Sequence, residues 1–75
     1  MSELATKLGV SNSAVFYANC IVEGLSTFKR CPIRLKNDVA FVLVILGNDK
    51  LITDETYLRE AKDRAEKFKE DENNN

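Results

Sequence analysis

Residues 39–46 read Val39-Ala40-Phe41-Val42-Leu43-Val44-Ile45-Leu46, eight apolar side chains in a row, and the fold class turns on them. Three valines and an isoleucine suit a buried strand. With Gly47-Asn48-Asp49-Lys50 as a hairpin turn, such a strand would lead into Leu51-Ile52. Against this, Leu35, Val39, Val42, Leu43 and Leu46 fall at helical spacing. A strand here also lacks a partner of matching length, and an isolated hairpin is barely stable. The pattern therefore predicts a helix over 33–46, stopped by Gly47, with a strand at 39–46 as the alternative.

Working back toward the N-terminus, Pro32 suits the first position of that helix, where its missing N–H costs nothing. Cys31 before it is biased toward extended backbone. Ser26 or Thr27 can cap a single turn through Phe28. Upstream, Ser11 caps a helix over 12–23 that Gly24 ends. That helix is apolar over most of its circumference, so it is either central or covered by a partner. A shorter helix over 3–8, capped by Ser2, places Leu4, Ala5 and Leu8 on one face and ends at Gly9.

Toward the C-terminus the pattern is cleaner. Thr53 caps a helix over 54–69, with Asp54 and Glu55 in its electropositive first turn. Leu58, Ala61, Ala65 and Phe68 form one apolar stripe, with Tyr57 beside it. Glu55–Arg59, Glu60–Arg64 and Asp63–Lys67 are i, i+4 pairs in the favourable order, and they read as a solvated outer face. The fold expected is all-α, a small bundle of about four helices (3–8, 12–23, 33–46 and 54–69). It occupies one domain, 1–69, followed by a disordered acidic and asparagine-rich tail over 70–75.

At 75 residues only one domain fits, and its stability is marginal. A hydrophobic fraction of 44% still supports a core and argues against global disorder. The formal charge of -1 conceals an imbalance. Residues 1–36 hold five Lys/Arg against two acids, and residues 37–75 hold six against ten. A basic first half points to a polar or anionic partner. Cys20 and Cys31 follow no export signal, so both are expected as free thiols in a reducing compartment. No apolar run reaches the length of a membrane span.

Catalytic and metal chemistry have little to work with. The chain has no histidine, and two cysteines cannot complete a tetrahedral zinc site. Ser2, Ser11, Ser13 and Ser26 have no base beside them, and the glycines at 9, 24 and 47 are too scattered to cradle a phosphate. The expectation is a protein that is not an enzyme, with no catalytic residue, metal, cofactor or small-molecule substrate.

One stretch carries a mechanism: Glu3-Leu4-Ala5-Thr6-Lys7-Leu8-Gly9-Val10-Ser11-Asn12-Ser13-Ala14-Val15. It resembles the helix-turn-helix of bacterial and phage regulators, over residues 3–22. Ala5 is small where the two helices cross, Gly9 takes the turn, Leu4 and Val10 point inward, Ser11 caps, and Val15 anchors the second helix. The motif's place at the start of the chain, Tyr17 and Glu23-Gly24-Leu25 look like the MerR-like group. The chain departs from that group in a longer second helix, in having no basic wing, and in Phe16 where the group carries Arg.

The resemblance implies that the second helix enters the major groove of duplex DNA, its early residues reading base edges. Here those are Ser11, Asn12, Ser13, Phe16 and Tyr17. Asn12 suits adenine, Ser13 a phosphate and Phe16 a thymine methyl. The second helix has no Lys or Arg, so Lys29 and Arg30, with Lys7, Arg34 and Lys36, must supply phosphate contacts from outside the motif. A homodimer would give two half-sites, with the apolar excess of the second and third helices as its seam. Residues 24–39 are also similar to a stretch in small uncharacterised phage and prophage proteins, which brings no activity with it but implies a mobile-element protein in the cytoplasm of a bacterial host cell.

A second expectation belongs to another class. The apolar second helix can instead be the docking surface of a phage or mobile-element accessory protein that binds a host or phage protein and no DNA. The two expectations part on whether the basic side chains line up beside Asn12 and Ser13 or acidic side chains of the last helix cover that face.

Overall fold

The eight-residue apolar run is helical. A computed structural model describes residues 3–73 and gives four α-helices, with no strand among the described residues: α1 (Glu3–Leu8), α2 (Asn12–Val22), α3 (Ile33–Ile45) and α4 (Glu55–Asn73). Short 3₁₀ turns, Phe28–Arg30 and Asp49–Leu51, interrupt the two longer connections. No helix among the described residues is long and apolar enough to cross a membrane.

Helix α3 is the axle. Val39, Ala40, Phe41, Val42 and Leu43 are all buried, so every side of this helix is covered along its middle, although Ile33, Arg34 and Asn37 before them are exposed. That explains the unbroken apolar run: a helix enclosed all round has no polar stripe to betray its period. It packs chiefly against α4 on one side and α2 on another. The covering helices present small residues at the contact, Ala14 and Ala18 on α2 and Ala61 and Ala65 on α4, each almost wholly buried. Small side chains there let backbones approach closely while Phe41, Leu43, Val39 and Val42 fill the interior.

The α3–α4 contact is fixed by three polar-aromatic arrangements. Phe41 meets Phe68 edge to face, with ring centres 5.7 Å apart. The Arg64 guanidinium lies 4.2 Å from the centre of the Phe41 ring and donates to Asp38 Oδ1 at 2.8 Å. Lys36 lies over the rings of Phe28 and Tyr57, which themselves meet edge to face at 5.6 Å. Tyr57 thus neighbours Lys36, while Arg64 and Phe68 neighbour Phe41. Positions advance together along the two helices, so the segment between them must carry the chain back.

Gly47 ends α3 in the left-handed region, at φ 79°. Its N–H donates to the Val44 carbonyl and that of Asn48 to the Leu43 carbonyl, which closes the helix end. The alternative of a hairpin over 47–50 is thereby excluded.

Several boundaries differ from the sequence pattern. Asp54, not Thr53, caps α4, because its Oδ1 accepts from both Thr56 N at 2.9 Å and Tyr57 N at 3.3 Å. Pro32 is the N-cap of α3 rather than its first helical residue, with ψ 138°. Thr27 stands at the head of the Phe28–Arg30 turn without a side-chain bond. Helices α2 and α3 end one residue early, with Glu23 and Leu46 as C-caps. The tail expected to be disordered from Glu70 begins too early: α4 runs on through Asn73. No proline or glycine follows Phe68 to break it. The capping role expected of Ser2 and the last tail positions, 74 and 75, lie outside the described residues.

The expected i, i+4 pairs are also replaced. Among the described residues the close ion pairs are Lys7–Glu72, Lys62–Asp49 and Arg64–Asp38, and each ties α4 to another part of the chain. Arg64 turns from Glu60 to Asp38 because the Phe41 ring offers its guanidinium a flat, partly desolvated seat. Both cysteines are free, Cys31 buried and Cys20 half-buried. Burial pushes the Cys31 thiol up, with nearby Lys36 working against the shift.

Phe41→Ala should cost about 3–5 kcal/mol in urea unfolding, since it empties the centre of the bundle and unseats Arg64 and Phe68. Phe16→Ala, at an aromatic side chain 70% exposed, should stay within about 0.5 kcal/mol of the parent. Equal destabilisation by the two would contradict the placement of α3.

Candidate nucleic-acid interface

The first two helices form a closed corner. The Gly9 N–H donates to the Thr6 carbonyl and the Val10 N–H to the Ala5 carbonyl at 3.0 Å, ending α1. This needs Gly9 at φ 70°, a conformation that costs any side chain with a Cβ. Ser11 then takes extended backbone, and its Oγ accepts from Ala14 N at 3.2 Å, capping α2. The inner side of the corner is buried through Ala5, Leu8, Ala14, Val15, Ala18 and Ile21, with Leu4 and Val10 half-buried against them.

The outer side faces solvent. Ser11, Asn12, Ser13 and Phe16 are exposed, and Asn19 and Glu23 continue the same face. Asn12, Ser13, Asn19 and Cys20 lie three or four residues from Phe16, so they surround it on the helix surface. Sequence reasoning misses Asn19, and its spacing of seven from Asn12 is the signal that could have found it.

Tyr17 stands differently from the expectation of a base-reading residue. It is half-buried, and its hydroxyl is hydrogen-bonded to Ser26 Oγ at 2.8 Å. The bond ties the connection after α2 back onto the helix. Phe28, buried under that connection, pins its far end. Lys29 and Arg30 follow at once and are both exposed. The bond ties Ser26 to α2, while Phe28, next to Lys29 in the chain, is seated against Tyr57 and Lys36.

The remaining cations are unequal. Arg34 is exposed near the start of α3. Lys36 is half-buried over two aromatic rings. The Lys7 Nζ lies 3.5 Å from Glu72 Oε1. Lys29, Arg30 and Arg34 have no carboxylate among the described residues within salt-bridge distance. The α2 face itself carries no positive side chain.

Elsewhere the surface is shallow. An open depression of roughly 300 Å³ is lined by Glu55, Leu58, Arg59 and Lys62, all on α4 and remote from the corner. Among the described residues no cluster of acidic, thiol or imidazole groups gathers as metal ligands. No family model matches the chain, and no curated protein or solved structure matches it either.

Gly9→Ala should lower stability by roughly 1 kcal/mol although a Cβ there meets no atom within 4 Å, because the strain lies in the backbone. Ser11→Ala should cost about 1 kcal/mol through removal of the cap. Thermal melts followed by circular dichroism read both, and an unchanged Gly9 variant would show that the corner is not built as described.

Proposed function

We propose that the chain is a small helix-turn-helix protein that binds duplex DNA, of the kind used by phage or prophage regulators in the bacterial cytoplasm. The observation that carries this is the solvent-facing leading edge of α2 at the end of a corner whose inner side is packed. Ser11, Asn12, Ser13 and Phe16 are exposed there. A helix presented this way fits the major groove, which admits one α-helix.

Each residue then has a physical role. Asn12 pairs with the N6 and N7 edge of adenine, and Phe16 covers a thymine methyl. Ser13 donates to a phosphate, and Ser11 keeps the first turn of α2 in shape. Lys29 and Arg30, both exposed, supply the phosphate contacts from outside the motif. Tyr17 holds the connection after α2 through its bond to Ser26. One copy covers one half-site, so a homodimer supplies useful specificity.

A fluorescently labelled duplex titrated at low salt tests the proposal. Binding to random sequence is expected with a Kd below about 10 µM, since low salt tightens the roughly 1–100 µM typical of physiological salt, and no anisotropy change at tens of micromolar protein removes the proposal. Lys29→Ala with Arg30→Ala should lower the salt slope by roughly 2, one for each phosphate no longer neutralised. Asn12→Ala should weaken only a selected site, by about tenfold, and leave random duplex unchanged. Uniform weakening would argue against base readout.

One observation favours a second reading. Phe16, Leu25 and Ile33 are 70%, 72% and 78% exposed, and α2 offers no cation of its own. Such apolar side chains suit the surface of an accessory factor that docks on a host or phage protein. The same titration separates the two, since that role requires no duplex binding at any salt.

A further inference from the structure

The last turns of α4 are set against the helix-turn-helix itself. Along α4 the inward stripe runs Leu58, Ala61, Ala65 and Phe68, and the next position on it is Glu72. Phe68 is anchored on Phe41. One turn further on, Glu72 therefore points toward the neighbouring chain rather than away from it, and meets Lys7 of α1 at 3.5 Å. Glu70 and Asp71 stand beside it, both exposed. The carbonyl end of a long helix adds a partial negative charge at the same place. Lys7 lies two residues before Gly9, so this acidic end sits against the corner that presents α2.

We infer that the acidic end of α4 is a built-in electrostatic brake on DNA binding. It competes with backbone phosphate for Lys7 and repels the duplex from the first helix of the motif. The inference rests on the DNA-binding proposal above and adds how that site is held in check. As a fold-stabilising contact the pair does little, since both partners are largely in solvent. Its field still reaches the corner, because the screening length at physiological salt is about 8 Å. A phosphate approaching Lys7 must displace Glu72 and tolerate Glu70 and Asp71 nearby.

The test compares two variants of the full chain with the same reduction in negative charge. One is Glu70→Gln, Asp71→Asn and Glu72→Gln. The control is Glu55→Gln, Glu60→Gln and Asp63→Asn, centred roughly 18 Å further back along α4 and beyond screening range. Thermal melts first establish that both fold like the parent. On random duplex at low salt the first variant should bind roughly three- to tenfold more tightly, with a salt slope steeper by about 0.9 for the lysine released. The control should change less than twofold. Adding Lys7→Gln to the first variant should remove most of the gain. Equal gains in both variants would reduce the effect to net charge and overturn the brake, as would no gain in either. If parent and both variants all fail, DNA binding itself falls and the brake with it. That outcome is distinct from a parent that binds and variants that do not differ from it.

Discussion

Enclosure of α3 on all sides is the constraint from which the rest of the molecule follows. A chain of this length has enough apolar surface for one well-packed centre, and α3 supplies it with five buried residues in succession. Two helices must then lie close to it, which is why both covering faces are built on alanine. Once α2 is committed to α3 through Ala14, Ala18 and Ile21, its opposite face is fixed outward. The exposure of Asn12, Ser13 and Phe16 is thus a consequence of core geometry.

Charge is divided between holding the fold and facing outward. Arg64 is taken up by Asp38 and the Phe41 ring, and Lys36 by two aromatic rings, so both cations act at the seam between α3 and its surroundings. Each such contact is worth on the order of 1 kcal/mol, which matters in a domain whose total stability is a few times that. Lys29, Arg30 and Arg34 remain in solvent, within a span of six residues of the chain. The positive charge open to an anionic partner is therefore local, although the molecule as a whole is slightly acidic.

The same corner explains why opposing charges meet there. Helix α4 starts beside Lys36 and Phe28 and advances with α3, so its far end must arrive at α1. An acidic last turn placed at that end inevitably faces Lys7. Had α4 run the other way, its C-terminal acids would have met the 3₁₀ turn of Lys29 and Arg30 instead.

The four helices, their approximate extents and the corner at Gly9 were legible in the sequence, because they depend on local chemistry. Cap residues, glycines able to take positive φ, and apolar spacing act within a turn or two of the chain. Even the 39–46 run could be resolved by asking what a strand there would pair with. Side-chain partners were not legible. That Arg64 would choose Asp38 over Glu60, that Tyr17 would bond Ser26 rather than face outward, and that Glu72 would come against Lys7 all depend on which helices lie side by side and in which direction they run. Spacing along one helix specifies a face. Only the tertiary arrangement specifies what that face meets, because the deciding distances join residues far apart in the chain.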